Sequence, residues 1–329
     1  MTKGRVLSGM RPTGRLHLGH YRGVLTNWLK LQTEYECFFF VADWHALTTD
    51  YESPKGIREN VREMVLDWLS VGIDPAKTTI FRQSHVKEHA ELYVLLGMIT
   101  PLSWLERNPT YKEQLAEIRD KDLHNLGFLG YPVLQTADII IYKANKVPVG
   151  VDQAPHIEIS REITRRFNNF YGPVFPEPET LLTQVPKILG TDGRKMSKSY
   201  NNAIFLTDEP KAVEQKILQM VTDTARKRRT DPGNPDVCPF FITYHNLYSG
   251  PDDIAWAREG CTTASIGCTE CKRSVIPKLL ADLEPIQARR REYERAPEIV
   301  DAILKDGSRR AHEVANATMH EVRRAIGLE

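Results

Sequence analysis

Short apolar runs alternate along this chain with stretches in which apolar residues recur every three or four positions. Val6-Leu7 is followed by Tyr21, Val24, Leu25, Trp28 and Leu29, whose spacing puts them on one face of a helix starting near His20. Phe38 to Ala42 reads as a buried strand. Ser53-Pro54 predicts the opening of a second helix, with proline at its first position and Ile57, Val61, Met64, Val65, Trp68 and Leu69 along its apolar face. Thr78 to Phe81 predicts a third strand and Val147-Pro148-Val149 a fourth, followed by a helix carrying Ile159, Ile163 and Phe167. Alternation of this kind predicts an α/β architecture, a doubly wound parallel sheet with helices on both faces and ligands beyond the carboxyl ends of its strands. From about Asp208 the strands stop. Asp208-Glu209-Pro210 opens a helix to about Thr224, a polar loop follows, and Ser274 to Lys305 and Arg309 to Ile326 are helical. The expected division is a sheet domain over residues 1–205 and an all-helical domain over 206–329, with the last helix packing back on the first domain.

Composition agrees with two domains. At 329 residues the chain exceeds one ordinary compact core, and 41% apolar with 26% charged residues describes a globular protein. No apolar run approaches the roughly 20 residues of a membrane span, and Met1-Thr2-Lys3-Gly4-Arg5 leads straight into the first strand, so a cytoplasmic protein is expected. A net charge of +1 excludes a generally basic nucleic-acid coat and leaves local basic patches open. Five cysteines in such a chain argue against a disulfide framework. Cys37 sits in an apolar run and reads as a strand residue.

Two polar stretches carry candidate chemistry. Arg11 to His20 lies between the first strand and the first helix, where unpaired amide N–H groups and partial positive charge suit phosphate. Gly14 permits the turn, Gly19 admits a close ligand, and His17 and His20, three apart, can point one way as donors. Gly190 to Ser199 puts Arg194, Lys195 and Lys198 within five residues of a glycine-flanked loop. Either stretch alone is compatible with a solvated turn; together they suggest a clamp on a triphosphate. Cys238, Cys261, Cys268 and Cys271, spaced C-x22-C-x6-C-x2-C, are a candidate metal site, and the spacing does not separate zinc from an iron-sulfur cluster.

His17-Leu18-Gly19-His20 resembles the H-I-G-H motif of class I aminoacyl-tRNA synthetases, and Lys195 to Ser199 is their K-M-S-K-S motif without substitution. Gly9 to Gly14, Tyr131 to Asp138, Gly150 to Gln153 and His156 to Asn168 extend the resemblance, over nearly the whole chain, to the bacterial tryptophanyl branch of that class. The resemblance implies a Rossmann-type catalytic domain and a helical anticodon-binding domain. It also implies a two-step reaction: tryptophan and Mg²⁺-bound ATP form an adenylate, which then acylates tRNA(Trp). Lys195, Ser197, Lys198, His17 and His20 take the catalytic positions. Arg11, Pro12, Thr13, Gly19, Gly150, Val151, Asp152, Ile188, Met196 and Ser199, with His20, Lys195, Ser197 and Lys198, match the family's ATP contacts.

For tryptophan, the resemblance assigns Asp138 as acceptor of the indole N–H, Tyr131, Gln135, His45, Val147 and Val149 as pocket walls, and Gln153 as partner of the amino group. Burying a carboxylate that lacks its donor is costly, which predicts rejection of phenylalanine. Many relatives carry methionine at the position of Gln135 and lysine near Gln114; Lys112 is a candidate replacement for that lysine. A subset of the family binds a four-iron, four-sulfur cluster on the four-cysteine pattern beside the anticodon surface, so such a cluster is expected here, with zinc as the alternative. Arg226 to Arg229 and Arg289 to Arg291 become candidate tRNA phosphate contacts. A homodimer is implied by the resemblance alone, and the tyrosyl branch, which shares the fold, is the nearest rival.

Overall fold

The computed structural model describes residues 4–117, 121–150, 154–182 and 187–329, and in it the apolar runs become a five-stranded sheet of order β3-β2-β1-β4-β5, parallel throughout. The strands are β1 (Arg5–Met10), β2 (Glu36–Val41), β3 (Thr78–Arg82), β4 (Lys146–Val149) and β5 (Glu179–Leu182). Between β1 and β2, α1 (Leu18–His20) runs through a π turn (Tyr21–Leu25) into α2 (Thr26–Glu34). Then come α3 (Asp43–Asp50), α4 (Ile57–Val71), α5 (Glu88–Gly97), α6 (Leu102–Glu106), α7 (Pro109–Glu117), α8 (Leu126–Leu129), α9 (Tyr131–Ile141) and α10 (Ala154–Tyr171). Beyond the sheet lie α11 (Pro210–Gln219), α12 (Asn246–Tyr248), α13 (Pro251–Thr262), α14 (Cys268–Arg295) and α15 (Glu298–Ala325).

Strand alternation divides the core between the two faces of the sheet. Val6, Cys37 and Phe39 face one cluster, in which Trp28 stacks on Phe39 with ring centroids 4.1 Å apart and which continues through Phe240, Tyr244, Leu279 and Ile286 of the C-terminal region. Leu7, Phe38 and Phe40 face the other, with Ile140, Phe167, Ala311 and Met319. The chain lays β2 and β3 on one side of β1 and β4 and β5 on the other, so the carboxyl ends of β1 and β4 form the switch point.

The structure differs from the sequence expectation in several places, among them the start of α14 at Cys268, ahead of the expected Ser274. Ser53-Pro54 does not open α4: Gly56, in the left-handed region at φ 91°, precedes Ile57. The helix expected to reach Thr224 ends at Gln219, where Met220 turns extended at ψ 141°. β5 was not foreseen, because its residues are half-buried or exposed and show no apolar alternation. The break expected between Lys305 and Arg309 lies instead at Ala296-Pro297, since proline disfavours a helical predecessor.

Gly307, between those two expected helices, is inside α15. A Cβ there would lie 1.8 Å from the Ile80 carbonyl oxygen, so glycine is what lets α15 pack onto β3. In an exposed helix, Gly→Ala gains about 1 kcal/mol from propensity. Here the clash dominates, and Gly307→Ala is expected to lower the urea midpoint by the equivalent of about 1–3 kcal/mol. A raised midpoint would show that α15 can move off the strand.

Candidate active site

β1 ends at Met10, and the chain turns through Gly14 at φ 87° into α1. His17 is the N-cap residue: its Nδ1 accepts from the Gly19 amide at 3.1 Å, while the His17 amide donates to Nδ1 of His20 at 3.4 Å. With both Nδ1 atoms accepting, the ring protons are on Nε2, and both histidines are donors in their neutral form. Burial, reinforced for His20 by His17 and for both by Lys198, moves His17 down to about 4 and His20 down to about 3. At neutral pH the turn therefore offers N–H groups without histidine charge.

Residues 187–206 come across the chain to meet this turn. Leu18 N donates to Ile204 O and Leu206 N to Leu16 O, and His17 bridges Phe205 in antiparallel register. The lysine loop is a small hairpin: Leu189 bridges Lys195, Gly193 sits at φ 80°, and Asn202 ties it internally by accepting from the Ser197 amide and donating to Asp192. A Cβ on Gly190 would lie 2.3 Å from Asn202, so this close packing needs glycine. Lys198 Nζ donates to Thr13 O at 2.7 Å and Thr13 Oγ1 at 3.1 Å, and Ser197 and Ser199 hydroxyls are hydrogen-bonded at 2.8 Å. Lys195 is exposed. Met196 and Ile188 are buried in the core, and the Met196 amide donates to the Ile188 carbonyl. What these two present to a ligand is main chain.

At the switch point lies a cavity of about 400 Å³, within the size range of small-ligand sites. Tyr131, Gln135, His45, Val147, Val149, Gly150 and Asp138 all line it. Arg11 lines it too, but its guanidinium is turned to α3, donating to Thr49 Oγ1 and 3.6 Å from Asp50. Pro12 is buried and Thr13 exposed. Val151, Asp152 and Gln153 lie outside the described residues, as does the side chain of Gln114; Lys112 is exposed on α7.

Asp138 on α9 is 1% exposed, yet it does not wait for a donor. Its carboxylate accepts from His45 Nε2 at 2.7 Å, His89 Nδ1 at 2.6 Å and Gln83 Nε2 at 2.8 and 3.0 Å. Burial alone would raise its pKa, but the hydrogen bonds from His45 and His89 hold it below the ordinary aspartate value. A penalty for an orphaned carboxylate therefore does not by itself explain discrimination here: an indole N–H must share an oxygen already in use. His89 also meets the Tyr142 hydroxyl at 2.7 Å, and Tyr131 contacts His156, which lines the cavity. Gln83, His89 and His156 were missed as site residues. Gln83 directly follows β3 and was accessible to the carboxyl-end rule; His89 and His156 sit inside helices and carry no local signal.

The four cysteines fall in one neighbourhood. Cys238 follows a 3-10 turn (Pro235–Val237), Cys261 is on α13, and Cys268 and Cys271 share the first turns of α14. Burial, then the neighbouring Cys238, Cys261 and Cys268, pushes the Cys271 thiol up to about 12. Arg226 Nη1 lies 4.0 Å from Cys261 Sγ and 3.9 Å from Cys268 Sγ, and His245 Nε2 lies 3.2 Å from Cys271 Sγ. Among the described residues no group of three or more His, Cys, Asp or Glu is arranged to hold a single metal ion.

Most of the arginines expected at tRNA phosphates are engaged by the fold. Arg226 and Arg229 donate to carbonyls of the 264–266 turn, Arg289 to Ser70 and Val71 carbonyls at the end of α4, and Arg290 is buried. Lys227, Arg228 and Arg291 remain exposed.

A turn of neutral histidine donors tied through Thr13 to a lysine hairpin, in a chain whose switch-point cavity is lined by Arg11 and Asp138, is the arrangement of an enzyme that activates a small acid with a nucleoside triphosphate. Residues 2–281 match the model of the class I tRNA synthetases (W and Y), and the chain belongs to that family. It is 56% identical over 326 residues to the tryptophan–tRNA ligase of Thermotoga maritima, covering 98% of this chain and 99% of that protein. The tryptophan–tRNA ligase of Aquifex aeolicus is 48% identical, with 98% and 100% covered. The crystal structure of tryptophanyl-tRNA synthetase from Campylobacter jejuni complexed with ADP and tryptophan superposes with a TM-score of 0.87 at 32% identity, covering 98% of this chain and 100% of that one. No helix among the described residues is long and apolar enough to cross a membrane.

Burial brings the Lys198 ammonium down to about 8, with Asp67 pulling the other way. Only the charged form of a lysine attracts phosphate, so on the ATP contact that the resemblance assigns to Lys198, ATP binding is expected to weaken as pH rises through about 8. Pyrophosphate exchange at subsaturating ATP is expected to decline above that pH, and Lys198→Arg, which stays charged, to lose the decline. An alkaline limb common to both proteins would assign the titration elsewhere.

Proposed function

We infer that this chain is a tryptophan–tRNA ligase: it forms tryptophanyl adenylate and pyrophosphate from L-tryptophan and ATP, then transfers the tryptophanyl group to the 3′-terminal ribose of tRNA(Trp). The observation that carries the reading is Lys198 bonded to Thr13, which sets the lysine hairpin against the histidine turn, while ionised Asp138 lines the cavity at the switch point. The choice of tryptophan rests on relatives of that name at 56% and 48% identity across nearly the whole chain.

The tryptophan carboxylate attacks the α-phosphorus, and the bond from that phosphorus to the bridging oxygen breaks, leaving its electron pair on pyrophosphate. A carboxylate is already a competent nucleophile, so the protein's contribution is positioning and charge stabilisation. His17 and His20 donate to phosphate oxygens from Nε2. Lys195 and Lys198 offset the charge growing on pyrophosphate, with Ser197, Ser199 and the amides of the loop as further donors. Arg11, Pro12, Thr13, Gly19, Gly150 to Asp152, Ile188 and Met196 frame the nucleotide, whose Mg²⁺ arrives with it. Asp138 receives the indole N–H, Gln153 holds the amino group, and Tyr131, Gln135, His45, Val147 and Val149 wall the ring. In the second step a ribose hydroxyl attacks the adenylate carbonyl and AMP leaves. Pyrophosphate exchange dependent on tryptophan, with tyrosine at least about a hundredfold poorer in kcat/KM, is expected; the reverse preference would assign the chain to the tyrosyl branch.

We read residues 1–205 as the catalytic domain and 206–329 as the anticodon-binding domain, with Lys227, Arg228 and Arg291 free to meet phosphate. Cys238, Cys261, Cys268 and Cys271 are the residues that would hold a four-iron, four-sulfur cluster. Their donor chemistry fits: four thiols share one neighbourhood, burial raises those of Cys238, Cys261 and Cys271 above the ordinary cysteine value, and a bound cation is what would make them thiolates. Once bound, the group would cross-link α13, α14 and the Cys238 segment. A homodimer is supported by exposed Val94 on α5, Met98 just beyond it, Leu102 on α6 and Leu126 on α8. Anaerobic protein is expected to contain about four irons per chain, to lose them in Cys268→Ser, and to sediment at twice the chain mass. One zinc per chain, or a monomer, would remove the respective claim.

A further inference from the structure

Two residues of α4, one turn apart, hold the entrance to the histidine turn. Asp67 Oδ2 accepts from the Leu16 amide at 2.6 Å, and Glu63 Oε2 accepts from Arg15 Nε at 2.8 Å. Both carboxylates are gripped from α14 by a single guanidinium: Arg290 donates to Asp67 Oδ1 at 2.5 Å and Glu63 Oε2 at 2.6 Å, while its Nε donates to Glu294 at 2.8 Å. Asp67 is 0% and Arg290 4% exposed. Beyond the turn, α14 makes a second grip, where Asp282 accepts from Arg22 at 2.6 Å and from the Tyr21 hydroxyl at 3.2 Å. The segment from His17 to His20 is thus bracketed on both sides by one helix of the C-terminal region.

A buried ion pair is a poor source of stability, because desolvation consumes most of the Coulomb gain, and an apolar pair of similar volume often serves the fold as well. The Leu16 amide is different. It immediately precedes His17, and only an oxygen aimed at that point satisfies it. We propose that Asp67, oriented by Arg290, is a positioning residue for adenylate formation: it fixes Leu16 so that the Nε2 donors of His17 and His20 meet the phosphates of ATP. Neither residue touches substrate. The inference rests on the reading of the turn as the ATP site, which tryptophan-dependent exchange by the wild-type enzyme establishes first and separately.

The test compares thermal stability with steady-state pyrophosphate exchange in two variants. Asp67→Leu combined with Arg290→Met replaces the pair with apolar groups and leaves the Leu16 amide without its acceptor. It should unfold within a few degrees of wild type, lose about tenfold or more in kcat/KM for ATP, and keep KM for tryptophan within about twofold. Asp67→Asn keeps an oxygen for Leu16 but removes the charge that raises Lys198, so, assayed at about pH 6, where Lys198 stays protonated, it should retain most of the ATP efficiency. Wild-type ATP kinetics in the double variant, equal losses for ATP and tryptophan, or an Asp67→Asn as impaired as the double variant would each overturn the proposal. If the double variant does not fold, Arg290→Lys keeps a cation beside Asp67 but loses the fork that joins Asp67 to Glu63. A loss confined to ATP then supports the proposal, and a loss shared with tryptophan overturns it.

Discussion

Main-chain pairing between residues 16–18 and 204–206 is the contact on which the site depends. It joins the histidine turn after β1 to a segment nearly two hundred residues later, and the lysine hairpin hangs from that junction. Backbone hydrogen bonds suit the task because their geometry does not depend on side-chain rotamers. Lys198 then reaches Thr13 as a consequence of where the hairpin is rooted.

Charge inside the site follows burial. The histidines are held neutral, so they donate without repelling the lysines opposite, while Asp138 is kept ionised by three donors in spite of complete burial. These opposite outcomes share a cause: a desolvated group keeps charge only where hydrogen bonds to the charged form outweigh the lost water. The same reasoning explains the arginines of the C-terminal region. Arg226, Arg229, Arg289 and Arg290 cap turns, helix ends and buried carboxylates. A guanidinium with five donors is well matched to several acceptors at once.

The α14 helix ties these themes together. It begins at Cys268 and Cys271, carries Asp282 and Arg290 onto the elements around the histidine turn, and contributes Leu279, Leu283 and Ile286 to the core shared with the sheet. The helical region and the sheet share one apolar cluster, so the histidine turn is packed against structure from both ends of the chain.

The alternation of apolar runs and amphipathic stretches was enough to predict four of the five parallel strands and their covering helices, because strand burial and helix periodicity are local properties. Val6-Leu7 and Phe38 to Ala42 read as they fold. The two signature stretches were legible for a similar reason, since their residue types serve chemistry rather than packing. Other features belonged to tertiary structure alone. Gly307 looks like a helix breaker until Ile80 is seen beneath it, and β5 lacks any alternation because it lies at an edge. His45, Gln83 and His89 meet on Asp138 from three separate elements, and Asp67 and Arg290 meet 223 residues apart. A residue's local pattern reports whether it will be buried and on which face. Which partner meets it there is decided by where the sheet order and the long C-terminal helices bring distant segments together, and that is a property of no segment by itself.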